Sequence, residues 1–195
     1  MACGMIFTPE GRDALQVLPH NGGCCGAGRE RTREAVLIFL RDELIYDIGN
    51  MAFVEGDIME EGAQDSRHQL QDITADGNVD RVTRVLDLTF SWITEVLYPY
   101  ARKDLDYEWL SDKFQEKRYY ALELRLPESF SDTTFVYMKN LIHELLVCRA
   151  LYDWTLTTKP EAAPAWKLRG DDAASELRGV KARRGRRTRL RQSPF

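Results

Sequence analysis

The dipeptide His143-Glu144 is the part of the sequence that comes closest to a catalytic motif. In the helical zinc motif H-E-x-x-H, two histidines one turn apart hold the metal and the glutamate acts as general base. The second histidine would fall at position 147, which is Val147. The other histidines, His20 and His68, lie in segments without an apolar pattern. The sequence therefore predicts no zinc site, and His143 is expected at the edge of the core or on a polar face.

A glycine-rich stretch around residues 21–28 has the outline of a phosphate-binding loop. Gly23 and Gly28 have the spacing of a P-loop, but Arg29 and Glu30 stand where that motif needs lysine and serine or threonine. The lysine contacts the terminal phosphates and the hydroxyl binds magnesium, so the chemistry of the motif is missing. No serine or cysteine has a base in its own segment. The sequence predicts a protein without catalysis and without a cofactor; a cleft in which two or more acids converge with His143 would favour an enzyme instead.

The composition is that of one soluble globular domain. Of the 195 residues, 44% are hydrophobic and 30% are charged. No apolar run approaches the roughly 20 residues of a membrane span, and the first residues lack the pattern of a signal peptide. The four cysteines form no C-x-x-C pair, so we expect free thiols and a cytoplasmic location.

The charge is divided unevenly along the chain. The net charge is −4, from 27 basic and 31 acidic residues. Eight of the basic residues follow Glu176 with no acid among them, which leaves 19 basic and 31 acidic residues, or −12, for residues 1–177. This cationic group would release counterions from nucleic acid, dock on the acidic surface of a partner, or serve only solubility. The predicted binding residues are Arg178, Lys181, Arg183, Arg184, Arg186, Arg187, Arg189 and Arg191.

Apolar residues at helical spacing predict three long amphipathic helices and a weaker C-terminal helix packed as a bundle. The first is expected to begin near Thr32 as its N-cap and to end before Glu60. The second begins after Asn78, which is predicted to cap it, and ends near Pro99. The third runs from Ser131 or Asp132 to Pro160. The last begins near Pro164 and is weakened by Gly170. Their apolar positions are Leu37, Leu40, Leu44, Ile48 and Met51; Val79, Val82, Leu86, Phe90, Ile93, Leu97 and Tyr100; Phe135, Met138, Leu141, Leu145, Cys148 and Tyr152; and Trp166, Ala173, Leu177 and Val180.

Residues 120–126 have a different period, because apolar and other residues alternate up to Pro127. This alternation predicts one short strand or hairpin. A strand needs a partner, and the candidates are Met5–Thr8 or a second subunit. Residues 61–77 are predicted as a loop with one short helical turn, and 102–117 as a short helix. The predicted organisation is a flexible segment 1–30, a helical domain 31–180 and a disordered basic tail 181–195.

Several segments between residues 31 and 195 resemble small uncharacterised proteins of Bacteroidales prophages and related mobile elements. They are Glu34–Gly49, Asp80–Asp87, Leu97–Tyr100, Leu124–Pro127, His143–Trp154 and the Arg-rich end through Ser193–Phe195. Such proteins look like head–tail connector or neck components, which are helical, oligomeric and non-catalytic. The resemblance implies the same for this chain but transfers no functional residue.

We therefore expect a structural or assembly protein that forms homo-oligomers or joins other subunits, in the cytoplasm or within a phage-like particle. The alternative is a nucleic-acid-binding accessory protein that acts through its Arg-rich end. The first hypothesis predicts oligomers that depend on concentration. The second predicts a DNA affinity that falls steeply with salt and is lost with residues 178–195.

Overall fold

The computed structural model describes residues 32–58, 64–98, 100–101, 117–128 and 130–182. The predicted segment 1–30, nearly all of the predicted helix at 102–117 and most of the predicted tail lie outside these residues. The chain is mainly helical, with one two-stranded antiparallel sheet. In chain order the elements are strand β1 (Thr32–Leu40), helices α1 (Arg41–Asp57) and α2 (Gln64–Gln71), a 3-10 turn (Asp72–Thr74), helix α3 (Asp76–Val96), strand β2 (Tyr119–Pro127) and helices α4 (Asp132–Thr158) and α5 (Ala163–Ala182).

The first predicted helix is wrong in its first nine residues, which form β1 instead. Ala35, Leu37 and Phe39 are buried and their neighbours are not, so the period is that of a strand. The leucines used for the helix prediction lie on both sides of the junction between β1 and α1. Leu40 precedes the first helical turn and is its N-cap, a role predicted for Thr32.

The predicted strand is confirmed as β2, and its partner is β1, which was not among the predicted partners; Met5–Thr8 lies outside the described residues. β2 pairs along its whole length with β1 of the same chain, with Leu37 opposite Leu122. Tyr120, Leu124 and Leu126 also point to the core. The partner was missed because it had been assigned to a helix. The sheet therefore has one face buried under the helices and one face turned away from them.

The predicted loop at 61–77 is largely helical, with α2 and the 3-10 turn leading into α3. Leu70 and Ile73 are fully buried, and the indole nitrogen of Trp154 donates to the carbonyl of Leu70 at 3.0 Å. These contacts hold a mostly polar segment in place, and its polarity is the reason that the helix was missed. Asn78 is not a helix cap; its side chain donates to the carbonyl of Asp72.

The remaining helices are found where the sequence predicted them. The apolar stripe of α3 is buried at Val82, Leu86 and Ile93. α4 ends before Pro160 as expected, and α5 packs along it. Lys181 and Ala182, predicted in the tail, belong to α5.

Gly170, expected to weaken α5, lies where that helix contacts α4. A Cβ atom at this position would be 3.4 Å from the Cβ of Cys148. A methyl group would therefore be in ordinary van der Waals contact with α4, and only a larger side chain would have to displace that helix.

Candidate interaction surfaces

The face of the sheet that points away from the helices is apolar near the junction of β1 with α1. Val36 and Tyr119 are 39% and 55% exposed, Leu40 is also exposed, and Ile38 is half-buried. At the other end of this face the charged pair Glu34 and Arg125 lies across the two strands at 3.6 Å. We call the apolar part, Val36, Ile38, Leu40 and Tyr119, the outer sheet face. Because the inner face already supplies the core, the outer sheet face adds apolar surface beyond what the single chain buries.

The outer edge of β1 carries backbone groups that β2 does not use. The amide of Arg125 donates to the carbonyl of Tyr100 at 2.9 Å and so points away from β1, whereas the amide of Arg41 donates to Arg118 at 3.0 Å. Antiparallel pairs alternate between bonded and non-bonded, so the backbone groups of Val36 and Ile38 point away from β2. No backbone group in the described part of the chain pairs with that edge.

The outward side of α1 is a second apolar surface. Tyr46 and Phe53 are 73% and 52% exposed, and Val54 beside them is exposed as well. Their spacing of seven and eight residues places them on one side of the helix. Leu44 and Ile48 on the opposite side are fully buried. We call Tyr46, Phe53 and Val54 the α1 stripe; its position could have been found from the sequence as a second apolar series beside the leucine series.

His143 and Asp47 connect α4 to α1. The Nε2 atom of His143 lies 2.7 Å from a carboxylate oxygen of Asp47, and both side chains are half-buried. They line an open groove of about 380 Å³ together with Asp42, Glu43 and Tyr46. This is the convergence of acids with His143 that would favour an enzyme. Sequence reasoning missed it because the two partners lie 96 residues apart.

The chemistry that this groove could perform is narrow. A carboxylate beside an imidazole can orient it for proton transfer, but the lining residues include no serine, threonine or cysteine. Within the described ranges, no three histidine, cysteine or acidic side chains are grouped closely enough to hold a metal ion. Cys148, one turn further along α4, is fully buried, and burial together with the neighbouring Glu144 raises the pKa of its thiol to about 12. That thiol is therefore protonated and no nucleophile near neutral pH.

Two of the eight predicted binding residues lie in the described part of the chain, and both are on α5. The guanidinium of Arg178 lies over the ring of Trp92 at 5.3 Å, and Lys181 is half-buried in the last helical turn. The pairing of Arg178 with an aromatic ring of α3 gives it a role in packing. The other six, Arg183, Arg184, Arg186, Arg187, Arg189 and Arg191, lie outside the described residues.

No family model, no curated protein and no solved structure matches this chain. None of the described helices is long and apolar enough to cross a membrane.

Proposed function

We propose that this chain is a non-catalytic assembly subunit that associates with copies of itself, as a head–tail connector or neck component of a phage-like particle does. Its helices would serve as a bundle that carries contact surfaces, in the cytoplasm or within such a particle. The α1 stripe supports this proposal most directly. Phe53 and Tyr46 each keep half or more of their surface exposed on a helix whose other side is fully buried.

The arrangement of residues around the α1 stripe is typical of a protein contact. Asp42, Glu43 and Asp57 lie on the same outward side of α1. An apolar patch rimmed by charge is common at protein–protein interfaces, whereas isolated exposed apolar residues are ordinary. Aromatic side chains such as Tyr46 and Phe53 also contribute strongly to binding when a partner buries them. The stripe therefore favours a partner surface over a solvated helix face.

The proposal is tested by the mass of the protein in solution across concentration. Multi-angle light scattering should give a mass above the 22.5 kDa of one chain at high micromolar concentration. Replacing both Tyr46 and Phe53 by glutamate should lower this mass toward that of one chain. The matched control is Leu88→Glu on α3, because Leu88 is 74% exposed and lies outside the stripe. A wild-type protein that stays monomeric over the whole range contradicts the proposal.

A nucleic-acid-binding role is the second candidate, favoured by the way α5 leads into the cationic end of the chain. No acid follows Glu176, and the two described cations after it, Arg178 and Lys181, lie in the last turns of α5. If Z phosphates are neutralised on duplex DNA, the logarithm of the affinity should fall with the logarithm of salt with a slope of about −0.9Z.

The test of this role leaves α5 intact. The six arginines from Arg183 to Arg191 are replaced by glutamine in the full chain, and binding to a labelled duplex is followed by fluorescence anisotropy between 50 and 200 mM salt, roughly the range over which such contacts are lost. The variant should lose most of the affinity and of the salt slope. Equal binding by the variant and the wild type removes this candidate.

A further inference from the structure

The outer edge of β1 is charged at its start, at Arg33 and Glu34, but carries nothing between Val36 and Leu40 that opposes pairing. Edge strands are commonly protected by lysine, proline, an inward charge or a bulge. From Val36 to Leu40 the strand has none of these, and its register with β2 runs without interruption from Thr32 to Leu40. The edge is thus a straight row of unused backbone donors and acceptors beside the outer sheet face.

We infer that β1 pairs antiparallel with β1 of a second copy of this chain, with Ile38 opposite Ile38 on a two-fold axis. The result is a four-stranded sheet in the order β2, β1, β1, β2, whose inner face lies on the helices of both copies. This inference rests on the proposed function and names the contact by which two subunits join.

A second copy fits this edge because a two-fold axis presents the same edge to itself. An antiparallel pair needs matched outward groups on both strands. Each copy offers the amide and carbonyl groups of Val36 and Ile38 and the amide of Leu40, whereas the carbonyl of Leu40, the N-cap of α1, belongs to the first helical turn. The edge segment from Val36 to Leu40 is uncharged, so two copies meet without placing like charges opposite each other.

The choice of Ile38 for the axis follows from the cross-strand pairs. With the axis there, Val36 lies opposite Leu40 of the other copy, and every pair that the two copies form between Val36 and Leu40 on this face is apolar. Within each chain, Val36 also lies opposite Glu123 of β2. An axis at Val36 would instead place Glu34 opposite Ile38. The carboxylate of Glu34 already faces Arg125 of its own chain at 3.6 Å and stays outside the paired segment.

The size of the contact sets the strength that we expect. Five paired residues extend over about 16 Å. Such an edge covers less than the roughly 800 Å² per partner of a standard stable interface, so on its own it gives a weak dimer that forms with rising concentration. A stable assembly needs further contacts, and the α1 stripe is available for them.

A charge-swap at Ile38 tests both the edge and the register. Two lysines or two glutamates directly opposite each other repel, so Ile38→Lys and Ile38→Glu should each lose this dimer. An equimolar mixture of the two should form a heterodimer, because only there do opposite charges meet. Circular dichroism of each variant checks that the fold is retained, and light scattering reports the mass. A mixture that associates no more than either variant alone overturns the inference.

Cysteine cross-linking gives an independent readout. Opposite residues in a bonded antiparallel pair have Cα atoms about 5.5 Å apart, but their Cβ atoms are farther apart than an unstrained disulfide allows, so a short bis-maleimide reagent is used to link them. In a full-length chain with Cys3, Cys24 and Cys25 replaced by serine, Ile38→Cys should form cross-linked dimers with this reagent. Cys148 is fully buried and does not compete. Leu88→Cys in the same background is the control, and equal dimer yields from the two variants contradict the inference.

The outcomes separate this inference from the proposed function. If the wild type and both Ile38 variants form the same oligomers, the assembly function stands and the β1 contact falls. If the wild type is monomeric throughout, both fall. If Ile38→Cys instead links to Phe7→Cys within one chain, segment Met5–Thr8 occupies the edge, which also overturns pairing between copies.

Discussion

The helix pair α4 and α5 and the continuous segment β1 and α1 differ in the kind of side chain that they expose to solvent. Along α5 the exposed positions are mostly charged or polar, as at Lys167 and Asp172, although Leu168 of α5 and Leu156 of α4 are exposed as well. Along β1 and α1 they include Val36 and Phe53. Both regions bury an apolar series on the inner side. A helix whose exposed side is mainly charged is well solvated without a partner. A helix with apolar residues on both sides gains stability when a partner buries the second side.

The two regions also differ in how firmly they are held. Cys148 of α4 packs against Gly170 of α5. Two ion pairs connect the same helices, Glu144 with Arg169 and Arg149 with Asp171. The polar pairs that connect α1 to α4 and its C-cap, His143 with Asp47 and Lys159 with Glu55, are half-buried and supplement the buried apolar side of α1. We therefore expect equal substitutions to have unequal effects in the two regions, and four predictions test this, beginning with the largest effect.

Truncation of a large apolar side chain should give the largest difference between the two regions in the free energy of unfolding. Leu145 on α4 is fully buried, so Leu145→Ala should lower the free energy of unfolding by about 2–5 kcal/mol through lost burial and the cavity left behind. Phe53→Ala on the α1 stripe should change it by less than about 1 kcal/mol in the monomer, because Phe53 is 52% exposed. Urea denaturation at low concentration measures both. Similar losses for the two variants would mean that the stripe is part of the core.

The two glycines of α5 allow a matched comparison within one helix. Gly170→Leu should cost about 1–3 kcal/mol because the added side chain has to enter the contact with Cys148. Nothing lies within 4 Å of a Cβ atom at Gly179, so Gly179→Leu should raise stability by about 0.5–1 kcal/mol through helix propensity alone. Thermal unfolding followed by circular dichroism measures the difference. Equal shifts for both variants would contradict the close packing of α5 on α4.

The sequence predicts α3, β2 and α4 well because each repeats one period over its own length. The buried positions Val82, Leu86 and Ile93 are fixed by local spacing, and so are Leu122 and Leu124. β1 is harder because its apolar run is short and leads directly into α1. The alternation of Ala35, Leu37 and Phe39 indicates a strand. Apolar residues at helical spacing, however, continue from β1 into α1, and this longer pattern predicts a helix over the same residues.

The candidate surfaces depend on pairings that no local pattern contains. Helices α1, α2 and α3 all lie between β1 and β2 in the sequence, and His143 and Asp47 lie 96 residues apart. Once β1 is known to be a strand, however, its open edge follows from the alternation of antiparallel hydrogen bonds. The basic residues can be identified from the composition alone. The contact of Arg178 with Trp92, in contrast, can be known only from the packing of α5 near α3.

Alkaline pH should weaken the contact between α4 and α5 through Cys148. Burial, with Glu144 nearby, raises the pKa of this thiol from 9.0 to about 12. The folded chain therefore keeps a proton that the unfolded chain loses, so the stabilisation is complete below about pH 9 and is lost as the pH rises toward 12.

Between pH 9 and 10 this effect should reduce the free energy of unfolding by about 1 kcal/mol. Urea denaturation at pH 8, 9 and 10 measures it. Cys148→Ala is the control, since it removes the thiol and should remove this part of the pH dependence. An unchanged dependence in Cys148→Ala would show that the thiol titrates alike in the folded and unfolded chains.

The smallest effect is expected at His143 and Asp47, where α1 meets α4. Both side chains are half-buried, so water screens the pair, and a double-mutant cycle with His143→Gln and Asp47→Asn should give a coupling below about 1 kcal/mol. Lys159 and Glu55, near the C-terminal end of α1, are 19% and 25% exposed at 2.8 Å and should couple more strongly. A coupling of several kcal/mol between His143 and Asp47 would mean that this surface pair holds α1 on α4 as firmly as buried contacts do. A weak coupling instead leaves the buried apolar side of α1 as its main attachment and the groove side open to a partner.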